Sequence, residues 1–135
     1  MKVHIVYRYP GHGDILGRLA RTLAEGMGWS LSEHPERGVD LNYFAVYIDY
    51  AERWSDWHHT PIGCYFSHYE HTSPHKVFWW ETAAGSADVA ILTARQYAAR
   101  LEIPAFAARP PVDQAQVFEV EYPRPVDHVG AVLSL

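Results

Sequence analysis

The densest concentration of chemically able side chains is Ser67-His68-Tyr69-Glu70-His71, with two imidazoles, a carboxylate, a phenol and a hydroxyl in five residues. His68 is the general-base candidate, and Glu70 could orient it or bind a hydroxyl of a ligand. Solvated loop residues would have the same composition, so the elements around them decide. A second candidate is Gly11-His12-Gly13-Asp14, directly before an apolar-periodic run. Two glycines let backbone amides approach a phosphate or sugar, and a following helix adds its positive end. A turn that needs positive φ would use the same glycines. The spacing is not the full dinucleotide fingerprint, since Gly17 lies one residue beyond the third glycine of G-x-G-x-x-G.

Nine histidines raise the question of a metal, above all His58-His59 with His68, His71 and His75. His71 and His75 have the i, i+4 spacing of a helical zinc pair. However, Thr72-Ser73-Pro74 between them reads as a turn and no H-E-x-x-H motif occurs, so no metal site is expected. Cys64 is alone, which excludes an intrachain disulfide and fits a reducing, cytoplasmic setting. It lies inside a strand-like run, where packing is expected rather than reactivity. Phe78-Trp79-Trp80 reads as core with one indole at a helix rim, whereas Trp54 and Trp57 could stack on a sugar face or cover a sheet.

The elements that would position these groups alternate. Lys2–Tyr9 reads as a strand ended by Pro10 and the glycines. Ile15, Leu19, Leu23 and Met27 recur every four residues and predict an amphipathic helix, with Asp14 as N-cap and Gly28 as C-terminal cap. Ser30–Gly38 reads as a polar connection, Val39–Tyr47 as a strand, Asp49–His59 as irregular, and Ile62–Tyr69 as a strand running into the His68 cluster. A helix is expected from about Pro74 to Ala84, then a buried strand over Ala87–Thr93 and a helix over Ala94–Leu101. Thr93 could be only the N-cap of that helix. Five prolines interrupt the chain from Ile103 onward and leave Gln116–Tyr122 and Val126–Leu135 as strand candidates. The alternation predicts an α/β layer structure with a mostly parallel sheet, in which ligands gather at the carboxyl ends of the strands.

The chain has 135 residues, 48% hydrophobic, enough for one core and too apolar for global disorder. Eleven basic against sixteen acidic residues give a net charge of −5 with no Lys/Arg run, so nucleic acid is an unexpected partner. No secretory signal or membrane-spanning stretch is apparent.

The order of these pieces resembles the N-terminal domain of GT-B-fold glycosyltransferases. The resemblance is carried by Lys2-Val3-His4-Ile5-Val6 with the glycine loop and Leu19-Ala20-Arg21-Thr22-Leu23, then Val39-Asp40-Leu41-Asn42-Tyr43-Phe44. Cys64-Tyr65-Phe66-Ser67-His68-Tyr69-Glu70, Ala87-Asp88-Val89-Ala90-Ile91-Leu92-Thr93 and Pro110-Pro111-Val112-Asp113 complete it. It implies a single Rossmann-like domain over 1–135, with helices on both faces of a mostly parallel sheet and a crossover region over about 104–135. This would be the N-terminal, acceptor-binding half of a two-domain enzyme that transfers a sugar from a nucleotide-sugar co-substrate to a hydroxyl acceptor. The resemblance implies no cofactor or metal and little activity for this half alone. Gly11, His12 and Gly13 would form the loop facing the donor phosphates, His68 with Glu70 would be catalytic, and Asn42, Tyr69 and Thr93 would contact the acceptor. The implied partners are a sugar or glycan acceptor and, through a C-terminal domain not in this chain, the nucleotide sugar. The G-H-G loop departs from the adjacent glycine pair of many members.

Two other classes stay open at this level. One is a non-catalytic ligand-binding or interaction module of flavodoxin-like shape, and the other a small hydrolase built on His68, Glu70 and His71. Exposed aromatics among Tyr7, Tyr9, Trp54, Trp57 and Trp80 could pair two copies into a homodimer, and peripheral membrane association is also compatible.

Overall fold

The computed structural model describes residues 1–11, 13–67, 69–92, 101, 103 and 105–107. In chain order the elements are β1 (Val3–Val6), α1 (Ile15–Met27), β2 (Ser30–Ser32), β3 (Leu41–Phe44), α2 (Tyr47–Arg53), β4 (Ile62–Phe66), α3 (Pro74–Ser86), β5 (Val89–Leu92) and β6 (Ala105–Ala107). The six strands form one sheet in the order β2-β1-β3-β4-β5-β6. Every neighbouring pair is parallel. This is an α/β, Rossmann-like architecture, and its first five strands follow the flavodoxin-type doubly wound order.

The handedness of parallel crossovers decides where the helices go. From β1 the chain steps outward to β2 through α1, then returns to the other side of β1 and proceeds through α2 and α3 in the opposite direction. Right-handed connections therefore put α1 on one face and α2 with α3 on the other. On the α1 face, Val3, Ile5, Tyr7, Tyr43, Ala45 and Tyr65 pack with Ala20 and Ala24. On the opposite face, Val6, Phe44, Ile62, Cys64, Phe66, Ala90 and Leu92 lie with Tyr47, Tyr50, Trp80 and Ala83. β4 is buried at all five positions, as its continuous apolar run requires.

The helix ends follow local chemistry. Asp14 caps α1 by accepting the Gly17 N–H, and Gly28 ends it at φ 69°, the left-handed conformation that favours glycine. Ser73 caps α3, with Pro74 in its first turn.

Three elements differ from expectation. Ser30–Ser32 is a short edge strand inside the expected polar connection. Tyr47–Arg53 is a helix although it begins within an expected strand and continues into a stretch read as irregular. Its Tyr47, Tyr50 and Ala51 are buried against the sheet, and that packing outweighs the low helix propensity of its aromatic and β-branched residues. β6 falls in the proline-interrupted tail, ahead of the strands expected at 116–122 and 126–135; those two segments and residues 94–100 lie outside the described residues. Tyr7 and Trp80, expected among exposed aromatics, are 4% and 1% exposed, which removes both from any surface patch. Trp54 and Trp57 pack partly buried against the α2–α3 core.

Candidate functional site at the carboxyl edge

Because all strands run the same way, their carboxyl ends deliver three successive connections to one edge of the sheet. These are Tyr7–Asp14 after β1, Ala45–Val46 after β3 and Ser67–Ser73 after β4. The chain reverses its direction of travel between β1 and β3, and such a switch point opens a crevice between loops that diverge to opposite faces. The connections after β1 and β4 are separated by one strand, about 10 Å at ordinary strand spacing. Gly11, Gly13, Tyr69 and Glu70 are thus brought to a common edge.

The glycine loop is held from both ends. The Tyr7 hydroxyl donates to Asp14 Oδ2 at 2.5 Å, and Asp14 Oδ1 accepts the Gly17 N–H at 3.0 Å. Burial, followed by the hydrogen bond to the Asp14 carboxylate and its charge, raises the Tyr7 phenol above its usual range. Arg21, in the second turn of α1, donates from Nη1 to the Pro10 carbonyl at 2.6 Å and fixes the approach to Gly11.

Gly11 and Gly13 are both exposed. Among the described glycines only Gly28 has positive φ, so neither loop glycine meets a conformational demand that excludes a side chain. A Cβ built on either meets no heavy atom within 4 Å. The backbone at both positions faces open space that the fold does not use.

Across the crevice, the loop after β4 turns back through a Ser73 N–H to Glu70 carbonyl bond at 3.0 Å. Glu70 Oε1 accepts from Lys76 Nζ, in the first turn of α3, at 2.7 Å. The Tyr69 ring meets Trp80 edge-on with centroids 5.2 Å apart, which anchors the loop to the core. His71 is exposed. His12, His68 and Thr93 lie outside the described residues.

Asn42 is elsewhere. It pairs with His4 and with Ile62, the first residue of β4, in the amino-terminal half of the sheet. Its side chain is fully buried and already occupied. Oδ1 accepts the Glu36 N–H at 2.9 Å, and Nδ2 donates to the Glu36 carbonyl at 2.8 Å and to Thr60 Oγ1 at 2.6 Å. The expected acceptor contact is corrected on this point: Asn42 pins the β2–β3 connection to the loop before β4, and its donors and acceptor point at protein.

Two cationic residues at this edge carry no motif and are found only by the fold. Arg21 is one. Arg8, two residues beyond β1, reaches Glu52 Oε2 at 2.6 Å and lies 3.4 Å from Asp49 Oδ1, to which Arg53 also donates at 2.7 Å. Asp49 is 2% exposed, so its charge rests on these guanidiniums. Sequence offered one faint signal, the i, i+4 spacing of Asp49 and Arg53.

Beside the crevice, α1 and the sheet leave a shallow apolar groove lined by Leu16, Leu19, Ala20, Leu23, Tyr43, Ala45 and Tyr65. The Tyr65 hydroxyl is buried without a hydrogen-bond partner, and burial pushes this phenol up to about 12. On the other face, burial first and nearby carboxylates second push the Cys64 thiol well above its ordinary range, as a packed, unreactive cysteine requires. Among the described residues no group of three or more His, Cys, Asp or Glu side chains could hold a metal ion, and no helix is long and apolar enough to cross a membrane.

Compared with protein-family models, curated proteins and solved structures, the chain matches none of them.

Proposed function

We propose that this chain is the acceptor-side domain of a nucleotide-sugar-dependent glycosyltransferase, working across a cleft from a donor-binding domain. The observation that carries the reading is the bare backbone at Gly11 and Gly13. Glycines placed where the fold needs neither positive φ nor close packing are explained by something that approaches them from outside, and a phosphate or sugar is the ligand that exposed amides suit. The positive end of α1 already faces the Asp14 carboxylate, so α1 contributes little to neutralising a diphosphate. Arg21 supplies the nearby positive charge instead.

Glycosyl transfer needs a leaving diphosphate stabilised on one side and an acceptor hydroxyl oriented on the other. The loop after β4 suits the second task. Lys76 holds the Glu70 carboxylate and Trp80 holds Tyr69, which leaves an ordered polar rim for a sugar hydroxyl. His68 is the base in this reading, taking the acceptor proton as the new bond forms, and Glu70 and Tyr69 position the acceptor. Thr93 is kept as an acceptor contact in this reading.

A second reading is favoured by the flavodoxin-type strand order: a ligand-binding module that uses the same crevice without turnover. One experiment separates the two. Native-length protein is incubated with UDP-, GDP- and dTDP-sugars and a panel of glycan and lipid-linked acceptors, and nucleoside diphosphate release is followed with product mass. Transfer that falls at least tenfold in both Gly13→Ala and Arg21→Met supports the glycosyltransferase reading. Saturable binding with no sugar consumed supports the module, and transfer indifferent to both substitutions refutes the site.

A further inference from the structure

Away from the crevice, at the amino-terminal end of the sheet, His4 on β1 is 0% exposed and touches polar atoms on both sides of its ring. Its Nδ1 is 2.7 Å from Ser30 Oγ, and its Nε2 is 2.9 Å from both Ser32 Oγ and the His34 carbonyl. These neighbours decide the tautomer. A carbonyl oxygen only accepts, and the Ser32 hydroxyl spends its proton on that same carbonyl at 2.9 Å while accepting the His34 N–H at 3.2 Å. Nε2 therefore carries the hydrogen, and Nδ1 turns its lone pair to Ser30. Glu36 Oε1 lies 3.6 Å from Nδ1, where it would stabilise an imidazolium. Ser30 is exposed and sits on β2, which among the described residues is an edge strand with no strand paired to its outer side.

We infer that Ser30 is an activated nucleophile, with His4 as its base, the His34 carbonyl and Ser32 hydroxyl as orienting groups and Glu36 as counter-charge, and that it takes an acyl group from a carboxylic ester. Hydroxyl, base and orienter in hydrogen-bonded sequence are the arrangement that makes a serine reactive. Ser30 Oγ bonds to the acyl carbon as its proton passes to His4 Nδ1. The ester C–O bond breaks as that proton moves to the departing alkoxide. Water then repeats the sequence, releases the carboxylic acid and restores Ser30. The activity is independent of glycosyl transfer and uses none of the crevice residues.

The test treats the full chain with p-nitrophenyl acetate and follows nitrophenol release, with the acetylated residue located by peptide mass. The expected result is one acetyl group on the peptide containing Ser30, formed at a rate that rises with pH through a single ionisation and then levels. Ser30→Ala abolishes it. Because His4 is fully buried and its replacement also tests the fold, the deciding second variant is Glu36→Gln on the exposed side of the cluster. It is expected to slow acetylation at least threefold with an unchanged melting temperature. Acetylation confined to lysines or tyrosines, or proceeding in Ser30→Ala at the wild-type rate, overturns the inference, as does a Glu36→Gln rate equal to wild type.

Discussion

Replacing Gly13 by alanine separates the two reasons a loop can hold glycine, because they predict opposite signs. If the turn required positive φ, a Cβ would cost about 1–2 kcal/mol. Gly13 has no positive φ and its Cβ would meet nothing within 4 Å, so the unfolded chain loses conformational freedom while the folded one loses no contact. Such replacements stabilise by about 0.4–1 kcal/mol. For a domain of this size that raises Tm by roughly 1–4 °C. On the proposed glycosyltransferase reading, the methyl group would instead stand where a phosphate oxygen approaches the amides. Losing one charge-assisted hydrogen bond there costs about 1.5–3 kcal/mol, or roughly ten- to a hundredfold in kcat/KM or Kd for the nucleotide sugar. Urea unfolding and thermal melting read the first quantity, and transfer kinetics or calorimetric titration the second. A drop in Tm of several degrees would show that the loop needs its glycine for the fold. A neutral Tm with unchanged ligand affinity would show that nothing approaches the loop.

Asn42→Ala should act in the opposite way, lowering stability by about 2–4 kcal/mol through three lost hydrogen bonds while leaving affinity at the carboxyl edge unaltered; urea titration with ligand binding on the same sample checks both. Tyr65→Phe removes a buried hydroxyl that has no partner and should raise stability by about 1 kcal/mol, read as a higher urea midpoint at constant slope. Alkaline stability should fall steeply. Burial, the largest cause for each, pushes Tyr47, Tyr50 and Tyr65 up to about 12 from an ordinary value near 10. The folded state holds these protons more tightly, so the stabilisation is complete below pH 10 and is lost as pH rises from about 10 to 12. Tyrosinate absorbance should show them silent until the chain unfolds in that window.

The periodic helix α1 and both its caps were readable because 3.6-residue spacing, an N-cap aspartate and a left-handed glycine are local physics. β4 was readable because burial on both faces demands an unbroken apolar run, whereas β5, read in the same way, buries only Ala90 and Leu92 and leaves Val89 and Ile91 half-buried. The glycine loop and the polar loop after β4 were readable as candidates from residue type alone. β2 was not, since Ser-Leu-Ser has no strand signature and is completed by pairing with β1 and by His4 beneath it. α2 was hidden for a related reason: tyrosines that favour strands locally became helical because the sheet offered a face on which Tyr47 and Tyr50 could be buried.

Asn42 marks the boundary most clearly. By residue type it could serve a sugar, and only strand register assigned it to the amino half of the sheet with its hydrogen bonds spent on Glu36 and Thr60. Arg21 is the converse, an ordinary basic residue in a helix until the turn before α1 brings Pro10 within its reach. The sequence by itself determined the α/β class and the ends of α1, and it singled out the candidate loops by residue type, because these depend on neighbours a few residues apart. Tertiary structure alone decided which loops share an edge and which polar side chains are already occupied, because those follow from strand order and from partners up to 44 residues away along the chain.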